Sequence, residues 1–237
     1  MVLEGNGVLL TMSLAKNKPL VWNIQETKCI NEGRLKLNGF RVFEHVRTNQ
    51  DGGGGLAIGC SIKLSPVLTR SGGDQAEALT VNIKLQKINI LCCNAYGPQN
   101  NDTNIKKDSF LEFLDEEAKT AEREGKGFLL QGDLNAWLGS ETIPNDPRPI
   151  NNNGKRFSNF LKSNKLTVVN ALKCCNGLIT RRRNGEGKLQ QSIIDFFVVC
   201  KRLLPHVTNI IIDNEKKTQL QTTKEENVAR EQWTQII

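Results

Sequence analysis

The stretch LLQGDLNAW, residues 129–137, begins as a short apolar run and stops at a glycine, which predicts a buried strand with a functional tip. Asp133 and Asn135 follow the run, and residues two apart at a strand end point the same way. A carboxylate and a carboxamide that face one point suit a hard cation, a phosphate oxygen or an attacking water. The same pair is also typical of a turn in which the aspartate bonds its own backbone, and both interpretations stay open.

Three more polar side chains stand at the ends of predicted strands. Glu26 closes an apolar strand, Tyr96 follows the strand Ile88–Ala95, and Asp195 lies in the strand Ser192–Val199. If the strands form two packed sheets, their tips converge at one end, where loops normally carry function. A divalent cation held there would neutralise a phosphodiester and activate water. Each residue also has a structural interpretation: a solvated strand end for Glu26, a core-edge aromatic for Tyr96 and a cap for Asp195.

The composition is that of a globular protein with a basic surface. The 237 residues carry a net charge of +7, which favours a polyanionic partner, nucleic acid before an acidic membrane, although a merely solvated basic surface is an equal alternative. A single Tyr argues against a single-strand binder built on stacking platforms. With seven Cys, no C-x-x-C motif and two His, a zinc site is not expected, and the apolar setting of the Cys residues fits a reducing, intracellular compartment. No apolar run reaches the ~18 residues of a membrane span.

The order of predicted elements favours an α+β sandwich, in which strands outnumber helices, over a doubly wound sheet. We expect one domain over residues 1–213 and a polar tail over 214–237 that is a frayed helix or disordered. Asp108 or Ser109 is the expected N-cap of the first helix. The main predicted elements are the strands Val21–Gln25, Arg41–Arg47, Leu56–Lys63, Phe128–Gln131, Thr167–Ala171 and Ile210–Ile212, a hairpin that joins Leu79–Leu85 to Ile88–Ala95, the helices Asp108–Glu124 and Arg156–Lys165, and a basic loop at Arg181–Lys188.

Four short motifs follow one another in an order that is typical of one superfamily of phosphoesterases. They are Gln25-Glu26-Thr27, Asn94-Ala95-Tyr96-Gly97-Pro98, Gly132-Asp133-Leu134-Asn135 and Ser192-Ile193-Ile194-Asp195-Phe196. The set resembles the endonuclease/exonuclease/phosphatase superfamily, the fold of apurinic endonucleases and DNase I, from about Val21 to about Asp213. The resemblance implies a four-layered α/β sandwich, in which two mainly antiparallel sheets pack together and helices flank them.

Within that superfamily, the sequence is most similar to the endonuclease domain of non-LTR retrotransposon polyproteins. Segments that carry this closer resemblance are Gln25–Cys29, Leu35–Phe40, Gly52–Gly59 and Leu178–Arg181. It implies that DNA is the partner, that the chain is a monomeric domain of a larger polyprotein, and that it acts in the nucleus.

The resemblance also implies a role for each residue of the predicted site. Glu26 would be the metal carboxylate, for Mg²⁺ or alternatively Mn²⁺. Tyr96 would contact the scissile phosphate or its leaving oxygen. Asp133 would orient or activate the attacking water, Asn135 would help to hold the phosphate, and Asp195 would support this network.

A run of basic residues is the predicted nucleic-acid contact. By resemblance, Thr180, Arg181, Arg182 and Arg183 would lie against DNA and make phosphate contacts that position rather than specify. From the residues alone, three consecutive arginines more often belong to a solvated loop than to a segment that contacts a DNA groove.

The sequence departs from the superfamily pattern at both ends. It contains no Asp-His dipeptide, which is the final motif of the superfamily, because Glu44 precedes His45 and Pro205 precedes His206. At the amino end, the segment Glu4–Gly7 is a degraded form of the N-x-N-G motif. We therefore expect a copy that is truncated at both ends, and whether it is an enzyme stays open.

Three functional hypotheses follow from these observations. The first is Mg²⁺-dependent nicking of DNA that leaves a 3′-hydroxyl. The second is a catalytically impaired remnant of the same fold that binds DNA without cleaving it. The third is a phosphatase of the superfamily that acts on a small phosphate ester. Salt-sensitive DNA binding without nicking would select the second, and release of inorganic phosphate would select the third.

Overall fold

A computed structural model describes residues 19–29, 31–33, 35–47, 54–73, 76–185 and 188–212. In chain order its strands are β1 Val21–Gln25, β2 Phe40–His45, β3 Leu56–Ser61, β4 Val67–Ser71, β5 Ala78–Leu85, β6 Ile88–Tyr96, β7 Gly127–Asp133, β8 Leu166–Val168, β9 Cys175–Asn176, β10 Arg181–Gly185, β11 Lys188–Ser192, β12 Asp195–Cys200 and β13 Ile210–Ile211. Its helices are α1 Asn104–Arg123 and α2 Asn152–Ser163.

Two sheets pack face to face. The small sheet has the antiparallel order β1-β3-β2, and the large sheet has the order β4-β5-β6-β7-β12-β8. Every pair in the large sheet is antiparallel except β6 and β7, and α1 is the crossover between these two parallel strands. Two further pairs, β10 with β11 and β9 with β13, stand apart from both sheets.

The core is divided by the large sheet into two layers. Leu79, Cys92, Leu129 and Phe197 face the small sheet, while both helices cover the opposite face of the large sheet. The outer face of the small sheet packs Trp22 against several partly buried side chains of the following segment: Leu35, Leu37 and Phe40. The predicted α+β sandwich is therefore confirmed, with both of the described helices on the large sheet.

Both helices begin earlier than predicted. The N-cap of α1 is Thr103, whose side chain accepts a hydrogen bond from the Lys106 amide at 3.2 Å, so the predicted caps Asp108 and Ser109 are wrong. The N-cap of α2 is Asn151. In each case the first turn contributes no apolar side chain to the core, since Ile105 of α1 is exposed, and the apolar spacing that predicted the helix becomes visible only one turn later.

Two predicted strands and the basic loop also differ from the structure. The strand Ser192–Val199 is two strands, because β11 ends at Ser192 and β12 begins at Asp195. The strand Thr167–Ala171 is the end of β8 followed by a 3₁₀ turn. The predicted loop Arg181–Lys188 is the hairpin β10–β11, which lacks the apolar alternation by which strands are recognised.

Some predictions lie outside the described residues. The tail 214–237 and the degraded motif Glu4–Gly7 belong to this group, so the domain boundary at 213 stays a prediction. None of the described helices is long and apolar enough to cross a membrane.

Candidate functional site

The ends of β1, β6, β7 and β10 meet around one pocket. Its volume is about 100 Å³. The residues that line it are Gln25, Glu26, Tyr96, Gln99, Asp133, Asn135 and Arg181. The fold thus brings together the predicted metal carboxylate, three of the four predicted catalytic residues and one predicted DNA contact.

Glu26 follows β1 in an unusual backbone conformation. Its φ is 54°, in the left-handed region that costs non-glycine residues on the order of 1–3 kcal/mol. The next two amides hold the chain there, since Thr27 donates to the Gly55 carbonyl at 3.1 Å and Lys28 donates to the Gly54 carbonyl at 3.0 Å. The segment immediately before β3 therefore fixes the direction in which Glu26 leaves the sheet.

Tyr96 connects the two sheets at the site. Its hydroxyl donates to the Oε1 atom of Glu26 at 2.7 Å. Burial, together with the hydrogen bond to Glu26 and the charge of that carboxylate, raises the pKa of Tyr96 above its usual range. Tyr96 is therefore a protonated phenol at neutral pH, and it acts as a hydrogen-bond donor.

The turn after β7 combines both of the interpretations drawn from the sequence. Asp133 Oδ1 accepts a hydrogen bond from the Asn135 amide at 2.9 Å, which is the turn that aspartate commonly forms. Both side chains nevertheless line the pocket. Asn135 is held there by a left-handed backbone with a φ of 46° and by the hydrogen bond that its Nδ2 donates to the Gly97 carbonyl at 2.9 Å. The local turn is the means by which the two polar groups are presented.

Two glycines allow the backbone segments at the ends of β6 and β7 to lie against each other. Gly132 has a φ of 143°, and a Cβ atom there would lie 1.9 Å from the Ala95 carbonyl oxygen. At Gly97 a Cβ atom would lie 2.3 Å from the Leu134 carbonyl oxygen. The turns after β6 and β7 therefore touch through their backbones, with no space for a side chain at either glycine.

Asp195 stands directly opposite Asp133 in the β7–β12 pairing. Its side chain is buried, and burial and the charge of Asp133 raise the pKa of the Asp195 carboxyl well above its usual range, while the Thr180 hydroxyl and the Arg181 charge act in the opposite direction. Asp195 is not among the residues that line the pocket. Its supporting role stays a prediction.

The four predicted DNA contacts have separate surroundings. The Thr180 hydroxyl oxygen accepts hydrogen bonds from the amides of Ile194 at 3.0 Å and Asp195 at 3.2 Å. Arg181 lines the pocket, whereas Arg182 does not. The side chain of Arg183 is outside the described part of the structure. Contact of these residues with DNA stays a prediction.

Three buried asparagines hold the site, and none was predicted as a site residue, although Asn94 opens one of the four motifs. Asn94 Nδ2 donates to the Ile24 and Ala57 carbonyls at 2.9 and 3.0 Å, and its Oδ1 accepts from Gln25, so it joins β6 to the small sheet. The other two act on the turns: Asn153 donates to the Pro98 and Asn135 carbonyls at 2.8 and 3.2 Å, and Asn170 donates to the Asp195 carbonyl at 3.0 Å. Side-chain bonds to distant backbone leave no periodic signal in a sequence.

The carboxylates at the pocket limit the kind of metal site that is possible. Nowhere in the described ranges do three or more His, Cys, Asp or Glu side chains cluster closely enough to hold a metal ion. A closed structural zinc cage is therefore not formed by these residues. An open oxygen site on one or two carboxylates remains chemically available at Glu26 and its surroundings.

Solved structures with the same fold include two endonucleases and a 3′ phosphatase. The endonuclease domain of TRAS1, a telomere-specific non-LTR retrotransposon, is 19% identical with a TM-score of 0.62, and the match covers 90% of this chain and 87% of that one. The AP endonuclease LMAP from Leishmania major is 16% identical with a TM-score of 0.67, over 99% of this chain and 84% of that one. The 3′ phosphatase NExo from Neisseria, bound to a product DNA hairpin, is 16% identical with a TM-score of 0.70, over 99% and 95%.

No family model and no curated protein matches the sequence. The structural likeness establishes the fold, which is that of the endonuclease/exonuclease/phosphatase superfamily, also called DNase I-like. The fold expected from the four motifs is thereby confirmed.

Proposed function

We propose that this protein is a Mg²⁺-dependent phosphodiester hydrolase that nicks DNA, the endonuclease module of a non-LTR retrotransposon polyprotein. One observation carries the proposal: Glu26, Tyr96, Asp133 and Asn135, which come from three different strand ends, line a single pocket beside Arg181. The structural likeness to the TRAS1 endonuclease domain supports the same activity, and the net charge of +7 favours a polyanionic substrate.

The residues present fit a magnesium ion. Mg²⁺ typically takes one or two carboxylates and completes its shell with water and substrate phosphate, so Glu26 would suffice as its protein ligand. Tyr96 occupies one lone pair of that carboxylate and leaves the others for the ion. When bound, the ion would neutralise charge on the phosphate and lower the pKa of bound water.

The chain's own groups supply the remaining chemistry. Asp133 accepts a proton from the attacking water as its oxygen bonds to phosphorus, and the bond between phosphorus and the 3′-oxygen breaks. The departing 3′-oxygen takes up a proton from solvent, which gives a 3′-hydroxyl and a 5′-phosphate. Tyr96, as a neutral phenol, would turn its single hydroxyl hydrogen from Glu26 to the phosphate or to the leaving oxygen when DNA is bound, and the Asn135 carboxamide would hold a non-bridging oxygen.

A second candidate function is DNA binding without cleavage. It is favoured by the absence of an Asp-His dipeptide from the sequence, since that motif provides the final phosphate contact in the superfamily that the sequence resembles. The predicted metal and catalytic residues that line the pocket argue against a complete loss of activity.

The test is nicking of supercoiled plasmid by the purified chain with Mg²⁺ or with EDTA, beside Asp133→Ala. We expect nicking that requires Mg²⁺ and disappears in the variant. Equal background nicking by both proteins, with salt-sensitive retention of DNA, would favour the second candidate. Release of inorganic phosphate from a small ester without nicking would select a phosphatase.

A further inference from the structure

Arg181 is the cation of the pocket. The other lining residues are two carboxylates, three amides and a phenol, so the guanidinium is the one positive side chain among them. Its Nε atom is buried and donates to no described residue. A buried donor without a partner is costly, about 1–3 kcal/mol, and calls for an explanation such as a bound anion.

The backbone of Arg181 is fixed relative to the reacting groups. Arg181 pairs with Ser192 at the open end of the hairpin, and the preceding Thr180 is bonded to the amides of Ile194 and Asp195. Asp195 in turn faces Asp133 across the sheet. The start of β10, which carries Arg181, is thus connected through Thr180 and Asp195 to the strand end that carries Asp133.

Arg182 provides the natural contrast. Successive residues of a strand point to opposite faces, so the side chains of Arg181 and Arg182 leave the hairpin in opposite directions. Only the first of the two lines the pocket. Both have a buried Nε without a described partner, which makes them closely matched apart from position.

The pocket needs a cation for the chemistry proposed above. A phosphodiester that enters beside Glu26 and Asp133 meets two carboxylates, and attack by water adds further negative charge to its non-bridging oxygens. A guanidinium presents planar donors that match two phosphate oxygens and keeps its charge at every working pH.

We propose that Arg181 is a catalytic residue, whose guanidinium donates to the non-bridging oxygens of the reacting phosphate, while Arg182 contacts phosphates elsewhere along the DNA. The inference rests on the proposed function and deepens it. It changes the role of Arg181 from one of several equivalent backbone contacts to the group that stabilises charge in the transition state.

The decisive experiment compares Arg181→Gln with Arg182→Gln in the full chain. We expect Arg181→Gln to lower the single-turnover cleavage rate at saturating DNA by about 10²–10³-fold, the usual loss for one transition-state donor, with DNA affinity changed less than about threefold. Arg182→Gln should weaken DNA affinity and its salt dependence, and its loss of rate at saturation should be at least about tenfold smaller than that of Arg181→Gln. Equal effects of both variants on affinity, with unchanged saturated rates, would overturn the proposal.

A rescue measurement separates chemistry from folding. Free guanidinium ion should restore part of the rate of Arg181→Ala and none of any deficit of Arg182→Ala, because the small cation can enter the vacated position in the pocket. Arg181→Lys should keep the fold and retain charge but lose the two-donor geometry, so its rate should lie between wild type and Arg181→Gln. Full activity of Arg181→Gln would contradict a catalytic role.

Binding of inorganic phosphate tests the contact even if the chain does not cleave DNA. Wild type should bind phosphate, Arg181→Gln should bind it at least about tenfold more weakly, and Arg202→Gln, a change at an exposed position beyond the end of β12, should match wild type. Phosphate binding with this pattern but no nicking would sink the proposed hydrolase and keep the Arg181 contact. Equal phosphate affinity in all three proteins would overturn the contact itself.

Discussion

The turn after β7 and the hairpin β10–β11 both contribute to the site, but they are built in different ways. The turn follows a fully paired strand between buried neighbours, and its backbone is held by Gly97 and Asn153. The hairpin is a separate two-stranded ribbon that is not part of either sheet. Two-stranded ribbons are marginally stable alone, so the hairpin depends on what anchors it.

One residue anchors the hairpin to the turn. Arg148 Nε donates to the Gln191 carbonyl at 3.0 Å, and the guanidinium lies 5.2 Å from the centre of the Trp137 ring. Trp137 belongs to the same stretch as Asp133 and Asn135. The two regions therefore differ in support: the turn continues a strand of the large sheet, whereas the hairpin is held by a few contacts at its open end.

The largest effect should come from removing the base on the rigid side. Asp133→Asn keeps the side-chain shape and the Oδ1 acceptor for the Asn135 amide but cannot accept the proton of the attacking water. We expect a fall in single-turnover rate of about 10²–10⁴-fold with DNA affinity preserved. A variant with more than a tenth of the wild-type rate would exclude Asp133 as the base.

Gly132→Ala should show how little freedom the turn has. The substitution imposes a strained φ and places Cβ against the Ala95 carbonyl, so we expect a loss of about 2–5 kcal/mol in the free energy of unfolding. The matched control is Gly73→Ala, because a Cβ atom at Gly73 meets nothing within 4 Å. Urea denaturation of both variants makes the comparison, and equal midpoints would contradict the close backbone contact.

Tyr96→Phe should separate the hydroxyl from the ring. Loss of the donor to Glu26 should lower the rate by about 10–100-fold, corresponding to one hydrogen bond to a charged group. Since the folded-state pKa of Tyr96 is raised, wild-type stability should fall as pH rises above about 10, the unfolded value, and the variant should lack this part of the fall. Thermal melts from pH 8 to 11 measure it; parallel curves would refute the shift.

The pairing of Asp195 with Asp133 predicts a second pH effect at the opposite end of the scale. Because the folded-state pKa of Asp195 is raised, its contribution to stability is present below about pH 4 and is lost as pH rises through the folded value. Asp195→Asn should therefore gain stability relative to wild type between pH 4 and pH 7. Melting temperatures of the two proteins, measured from pH 4 to pH 7 in EDTA, test this prediction. A difference in melting temperature that does not change with pH would contradict it.

The smallest effect should fall on the ribbon. Arg148→Gln removes a hydrogen bond and a cation–π contact, together worth on the order of 1–2 kcal/mol, from the anchor between the hairpin and the turn. We expect faster amide hydrogen exchange in β10 and β11 and DNA binding about 3–10-fold weaker, with the saturated rate nearly unchanged. Unchanged exchange in the hairpin would show that Arg148 is not its anchor.

The same contrast explains what the sequence could predict. Apolar runs that end in Glu26, Tyr96 and Asp133 are local patterns, and the structure brings all three together at one pocket. The hairpin has no apolar alternation, so its basic residues were predicted as a loop. Strand β4 was missed for the same reason, because each of its side chains is exposed.

Other features depend on contacts between distant parts of the chain. Asn94 joins two sheets through carbonyl groups 70 and 37 residues away. Nothing in the residues around Asn94 specifies those partners, because the bonds go to backbone atoms that every residue possesses. The supporting asparagines could therefore be recognised only once the sheets were in place.

If the converged strand ends form a hydrolytic site, the chemical ends of the cleaved DNA should show it. Plasmid nicked by the wild-type chain with Mg²⁺ should be resealed by a DNA ligase, which requires a 3′-hydroxyl beside a 5′-phosphate, and Asp133→Asn should produce no nicks above background. Nicks that ligase cannot seal, or equal nicking by the variant, would contradict phosphodiester hydrolysis at this site.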